Sequence, residues 1–208
     1  MTLPLTTRLL AAAAVCGVLF VALGLFVTRH PPSRFDSWAA GLRAANVQLA
    51  TIFTVSGYGP ALTALGLGSI AGAFALRLSI KIPLAILVSQ IVSQGLVSAS
   101  KALFARARPD AWLYRHEPGF SYPSGHATTA VVFYGAWLLV IWASPLPAVV
   151  RVAGSALLAA WSLGICWSRI ALGAHFPTDV TGGVLFGLAW LCCVLTAARY
   201  AGLVSRPA

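Results

Sequence analysis

Residues 9–28 and the whole stretch from Ala44 to Leu76 carry no Asp, Glu, Lys or Arg. A helix needs about 20 mostly apolar residues to cross the hydrocarbon of a bilayer, so runs of this length set the chain's solvent before any motif is considered. Of the 208 residues, 59% are hydrophobic and only 9% are charged; an ordinary soluble domain carries roughly 25% charged residues. A water-soluble globule could not hide that much apolar surface, and the solvent is largely lipid. So little charge also excludes a disordered chain and a coiled coil. A disulfide scaffold is excluded too: Cys192 and Cys193 are adjacent, Cys16 and Cys166 lie in other apolar runs, and all four read as buried free thiols.

Helix-breaking residues divide the apolar runs. Residues 9–28 make a first span, longer than the apolar region of a signal peptide and with no small-x-small cleavage site before Arg29. The run to Leu76 is too long for one crossing, and Ser56-Gly57-Tyr58-Gly59-Pro60 interrupts it, which places the second helix at about 58–76. Before it, Phe35 to Phe53 mixes Asp36, Arg43, Asn46 and Gln48 with Trp38, Leu42 and Leu49, the pattern of an interfacial amphipathic segment. Further helices are expected at 82–104, from Pro123-Ser124-Gly125-His126 to about 142, at 149–168 and at 179–198. The expected fold is all-α: a six-helix transmembrane bundle with short loops and one interfacial amphipathic segment, a single domain over residues 1–208. Six crossings put both termini on one side.

Fourteen Lys and Arg stand against four acidic residues, a formal charge of +10. In a soluble protein that balance would point to nucleic acid; here no nucleic-acid partner is expected, and the cations either orient helices or meet an anionic ligand. Arg8, Arg77, Lys81, Arg151, Arg199 and Arg206 fall on the side of the termini. Arg29, Arg34, Arg43, Lys101, Arg106, Arg108, Arg115 and Arg169 fall on the other. If Lys101, Arg108 and Arg169 are set aside for a buried site, the balance is six to five and favours cytoplasmic termini.

Parity of the crossings then brings two loops together. The segments 101–126 and 168–179 are separated by a pair of helices, so Lys101, Arg108, Ser124, Gly125, His126, Arg169, His175 and Asp179 can meet at one membrane boundary. Pro109 ends any helix and lets Arg108 turn inward. Lys supplies a point charge and Arg a planar fork of donors, a combination suited to a tetrahedral anion such as phosphate. Ser124 can cap the next helix or donate its hydroxyl to the anion, with the Gly125 and His126 amides pointing the same way. His175 and Asp179 are four apart, so one helical turn stacks them, with Pro177 marking the start of that helix. A carboxylate on one ring nitrogen leaves the other nucleophilic.

Lys101 with six residues before Arg108-Pro109, then Pro123-Ser124-Gly125-His126, then Ser168-Arg169 with five residues before His175 and three before Asp179, resembles the tripartite signature of type 2 phosphatidic acid phosphatases. The resemblance spans about residues 35–198, with no departure at a signature position. It implies a metal-independent, cofactor-free phosphatase in a membrane-embedded helical bundle, related in its core to vanadate-dependent haloperoxidases. By that resemblance His175 attacks phosphorus and forms a phosphohistidine, Asp179 orients it, and His126 protonates the leaving oxygen and then activates water. Lys101, Arg108, Arg169, Ser124 and Gly125 would hold the phosphoryl oxygens. The implied partners are a lipid phosphate or polyprenyl diphosphate substrate and the lipid bilayer. The implied place is the plasma membrane, with the site on the extracytoplasmic side.

Simpler readings stand beside these. His30 and His116 belong to no constellation, and Asp110, Arg115 and Glu117 read as solvated loop charges, in a loop that could touch the substrate headgroup. Trp112, Tyr114, Phe120 and Tyr122 read as an interfacial aromatic cluster. A zinc site from His126, His175 and Asp179 is disfavoured because three cations in the same pocket would repel the metal. Two rival functions share the cationic pocket. A haloperoxidase would hold vanadate there, and a non-catalytic phospholipid binder or transporter would need the cations without the histidines.

Overall fold

Proline and glycine punctuate the chain where the apolar runs stop, and the computed structural model, which describes residues 3–44, 46–110 and 113–202, places helices between these breaks. Trp112 and Arg206 lie outside the described residues. Helix α1 covers Leu5–Arg29. Ser33 and Asp36 form a capping box that starts the short α2, Arg34–Trp38, and a 3-10 turn follows at Ala39–Leu42. Asn46 caps α3, Val47–Ser56, and Pro60 sits in the first turn of α4, Gly59–Ala75. The remaining helices are α5 Lys81–Phe104, α6 Gly125–Ala143, α7 Ala148–Ala171 and α8 Pro177–Tyr200.

Five helices are long and apolar enough to cross a bilayer, and α3 with α4, bent by 53°, supplies a sixth if the pair crosses as one span. The burial pattern agrees. Gln90, Ser93, Thr128, Thr129, Ser155 and Ser168 face inward, whereas Val18, Phe74 and Leu103 are 68%, 78% and 84% exposed. Polar groups inside and bare apolar side chains outside are what a lipid solvent selects, because a polar side chain in hydrocarbon has no water to bond. The chain is a multi-pass integral membrane protein.

Long α1 packs along α8. Phe20 and Val27 of α1 close over Tyr122, which stacks on Phe20 with ring centroids 5.5 Å apart and donates its hydroxyl to the Phe20 carbonyl at 2.6 Å. Tyr122 is therefore an internal post rather than an interfacial aromatic, while Tyr114 and Phe120 are exposed as expected. A second cluster, Leu62, Ile86, Phe133, Tyr134 and Ile165, joins α4, α5, α6 and α7. A π-helical turn at Ala130–Tyr134 interrupts α6, and the Ala130 carbonyl accepts the Ser162 hydroxyl at 3.0 Å. The four cysteines are free, but none is buried: Cys193 is exposed and the others are half-buried.

The segment 35–53 is divided where Ala44 and Asn46 take positive φ of 64° and 51°. Phe35 and Trp38 stay exposed as an interfacial stretch requires, yet Asp36, Ala50 and Thr54 turn inward. That inward face reaches the end of the bundle where the loops 105–124 and 172–176 meet. Three backbone bonds fix this end: Leu113 N–H to the Leu172 carbonyl joins the two loops, Ser121 N–H to the Arg106 carbonyl closes the first loop on itself, and Ser124 N–H to the Asp179 carbonyl ties it to α8, at 3.2, 2.8 and 3.0 Å.

Candidate active site

The first turn of α8 sets the geometry. Pro177 occupies a position whose N–H would lack a helical partner, and Asp179 in the same turn accepts the Phe176 N–H on Oδ2 at 2.8 Å. Just before it, Gly173 with φ of 68° reverses the chain, and the N–H groups of Ala174 and His175 both bond the Arg169 carbonyl at 3.0 and 3.1 Å. His175 is thereby held at the mouth of α8 and is buried.

Which nitrogen of His175 is free follows from its neighbours. Arg108 Nη1 lies 3.1 Å from Nε2, and a guanidinium can only donate, so Nε2 is the acceptor and Nδ1 carries the proton of the neutral ring. Nδ1 is 3.3 Å from Ser121 Oγ, and Ser121 donates to Asp179 Oδ2 at 2.5 Å. Asp179 Oδ2 itself is 3.5 Å from Nδ1. Carboxylate and imidazole are neighbours, as the four-residue spacing requires, but Ser121 bridges them, and no sequence spacing announced Ser121. Burial, together with the charges of Lys101, Arg108 and Arg169, holds the His175 imidazole well below its ordinary range, so the ring is neutral.

The three expected cations converge on this ring. Arg108 donates from Nη1 to the Ala174 carbonyl at 2.9 Å and from Nε to the Gly119 carbonyl at 3.0 Å. Lys101, at the end of α5, donates to the Phe120 carbonyl at 2.9 Å. Arg169, on the last turn of α7, is 1% exposed. It donates from Nη1 to Thr54 Oγ1 and from Nη2 to Glu117 Oε1 at 3.0 Å, while its buried Nε meets no acceptor among the described residues. Glu117 is thus not a solvated loop charge. It pairs with Arg169 and accepts the Tyr58 hydroxyl at 2.5 Å. Burial pushes its carboxyl up, but the Tyr58 bond and the Arg169 charge outweigh this and hold it below the ordinary glutamate range.

Ser124 is the N-cap of α6, its Oγ accepting the Ala127 N–H at 3.4 Å, and Gly125 and His126 open the helix. His126 does not bond His175. Its Nε2 lies 3.1 Å from the Thr54 carbonyl and so carries the donor proton, its Cδ2 lies where a Cβ on Gly57 would approach to 2.5 Å, and Tyr58 meets the ring edge to face at 4.7 Å. The bend between α3 and α4 is therefore what seats His126.

In the sequence Arg106 is only a loop charge. It is buried and bridges two carboxylates, Nη1 to Asp179 Oδ1 at 2.6 Å and Nη2 to Asp36 Oδ2 at 3.0 Å. Removing one partner of such a buried pair costs on the order of 3–5 kcal/mol, because a charge is left without compensation.

The PAP2 superfamily's sequence pattern matches residues 82–202. The chain is 35% identical over 131 residues to a lipid A 1-phosphatase of Rhizobium etli, covering 56% of this chain and 50% of that one. It is 37% identical over 92 residues to phosphatidylglycerophosphatase B of Bacillus subtilis, covering 42% and 44%. To an Escherichia coli K12 protein provisionally named an undecaprenyl-diphosphatase it is 33% identical over 117 residues, covering 54% and 52%. The chain spans about half the length of these relatives. Among solved structures, a transmembrane PAP2-type phosphatidylglycerolphosphate phosphatase from Bacillus subtilis superposes with a TM-score of 0.77 at 23% identity, over 93% of this chain and 98% of that one, and shares its fold.

Proposed function

The chain belongs to the PAP2 superfamily, and on that premise we propose that it is a metal-independent membrane phosphatase that removes the terminal phosphate of a lipid phosphate or polyprenyl diphosphate through a phosphohistidine. The observation that carries the reading is the His175 ring: neutral, with Nε2 turned toward Arg108 and Nδ1 tied through Ser121 to Asp179. The names of the relatives, all phosphatases or diphosphatases of lipids, support the substrate class. In this proposal residues 1–208 form a single phosphatase domain.

In this reading the phosphoryl group enters between Nε2 and the cations. Arg108 exchanges its bond to the imidazole lone pair for a phosphoryl oxygen, and Lys101, the Arg169 Nε that meets no acceptor among the described residues, Ser124 Oγ–H and the Gly125 amide take the others. Nε2 attacks phosphorus as the bond to the leaving oxygen breaks, and the growing charge on the ring is met by Ser121 and Asp179. His126 holds its Nε2–H on the Thr54 carbonyl, so its Nδ1 carries the lone pair: it takes the proton that the singly protonated phosphate of the substrate brings in, passes it to the leaving oxygen as the P–O bond breaks, and later takes one from the attacking water. Three fixed cations supply the charge neutralisation that a divalent metal gives in other phosphatases.

The site lies at one end of the bundle, where a headgroup sits, so the acyl or prenyl chain can stay in the bilayer. Placement of that end on the extracytoplasmic face is supported by the charge balance of the loops and by the family resemblance, and the plasma membrane by the resemblance alone. The test is release of inorganic phosphate from phosphatidic acid, phosphatidylglycerol phosphate and a polyprenyl diphosphate in detergent with excess chelator. Turnover lost in His175→Gln is expected. Lipid binding without release by the intact protein would favour a binder, and halide oxidation dependent on vanadate and peroxide would favour a haloperoxidase.

A further inference from the structure

We propose that Asp36 and Arg106 are positioning residues of the same site, setting the charge and the aim of Asp179 and through it the reactivity of His175. The inference rests on the reading of His175 as nucleophile. It starts from a buried trio, Asp36–Arg106–Asp179, in which one guanidinium serves two carboxylates. Asp36 is 2% and Asp179 0% exposed, so water does not screen either.

The fork is fixed from every side. Arg106 Nη1 also donates to Thr178 Oγ1 at 2.7 Å, and the Phe176 ring lies 4.4 Å beneath the guanidinium carbon. Asp36 is seated by its own helix, accepting the Ser33 N–H on Oδ2 at 3.2 Å. Its Oδ1 accepts the Thr178 N–H at 3.1 Å and the Thr178 hydroxyl at 2.8 Å. Asp36 therefore grips the same turn of α8 that carries Asp179, from a segment outside the region matched by the family pattern.

Charge arithmetic gives this arrangement a consequence beyond stability. Two carboxylates and one guanidinium leave one negative charge beside a neutral imidazole, at the place where positive charge develops when Nε2 attacks. Without Asp36, Arg106 would be spent entirely on Asp179, and that field would be cancelled. An apolar trio of similar volume would hold the helices together at least as well, since buried ion pairs seldom exceed hydrophobic packing in stability. The charged groups facing His175 are Lys101 from α5, Arg108 from the long loop, His126 from α6, Arg169 from α7 and Asp179 from α8. Only Asp179 among them favours a cationic ring, and Arg106 is what moderates it.

The experiment compares Asp36→Asn, Arg106→Met and the double variant as purified, monodisperse full-length protein, following phosphate release across pH. Asp36→Asn is expected to lower kcat by about tenfold or more, the scale of a misaimed reacting group, with KM within about twofold. It moves the acid limb of kcat to lower pH by about one unit, while Arg106→Met moves it to higher pH, the sign expected when a neighbouring cation is lost. The double variant restores the charge balance and recovers activity over Arg106→Met. Substrate titration is common to all three and cancels. A merely structural role changes yield and thermal stability but not the direction of the limb. Wild-type kcat and an unmoved limb in Asp36→Asn would overturn the inference; should that variant not fold, an unmoved limb in Arg106→Met does the same. Full turnover by His175→Gln would instead remove the reading beneath it.

Discussion

Deleting one buried hydroxyl, Ser121→Ala, separates the bridged arrangement of His175 and Asp179 from a direct contact between them. The change is small in volume, the site is fully buried, and the Ser121 N–H keeps its 2.8 Å bond to the Arg106 carbonyl, so the loop stays in place. What goes is the 2.5 Å bond into Asp179 and the 3.3 Å contact with His175 Nδ1. A hydrogen bond to a charged group is worth about 1.5–3 kcal/mol net. Asp179 Oδ2 retains the Phe176 N–H, and it could recover part of the loss by closing on Nδ1 from 3.5 Å. Only the share of the bond that strengthens as the ring becomes cationic counts toward kcat. Taking about 1.4–2.7 kcal/mol for that share gives a loss of about 10- to 100-fold. The assay is phosphate release normalised to folded, monodisperse protein, with KM expected within about threefold. A kcat within twofold of wild type would refute the bridge and leave Asp179 acting directly on the ring.

Three further outcomes follow from the same geometry. In Gly57→Ala the new Cβ meets His126 Cδ2 at 2.5 Å, so the ring must shift; a loss of kcat approaching about 100-fold with a near-normal melting temperature is expected, and an unchanged kcat would show that His126 tolerates displacement. Glu117 has a carboxyl held below the ordinary glutamate value of 4.5, so its pairing with Arg169 contributes stability that is fully present above that value and is lost as pH falls through the depressed one. The stability gap between wild type and Glu117→Gln should be constant near neutrality and vanish in acid; a gap that widens in acid would reverse the assigned sign. Arg115→Cys, in an exposed stretch of the long loop, should be labelled by an impermeant thiol reagent added outside intact cells, and protection there with labelling only after lysis would invert the topology.

The helices were legible because lipid solvent demands long apolar runs, and Gly57 to Pro60, Pro145 to Pro147 and Pro177 break them in ways local chemistry dictates. The meeting of Lys101, Arg108, Arg169 and His175 was legible as well, because parity of crossings and motif spacing are properties of the chain order. What the sequence hid are groups whose meaning depends on partners far along the chain. Arg106 and Asp36 looked like ordinary loop and interface charges until both faced Asp179. Glu117 looked solvated, yet its partners are Tyr58 and Arg169, on different elements. Tyr122 reads in sequence as an interfacial aromatic, and the approach of α1, α5 and α8 encloses it. The π-helical turn in α6 likewise leaves no local residue signal.

Rapid mixing with a lipid phosphate labelled in its terminal phosphoryl group, followed by an alkaline quench that preserves phosphohistidine, and peptide mapping, would locate the transferred group. Label is expected on the peptide containing His175, attached at Nε2, and absent from His175→Gln. Label on His126, or hydrolysis by His175→Gln with no phosphoenzyme at all, would contradict the assignment of His175 as the nucleophile.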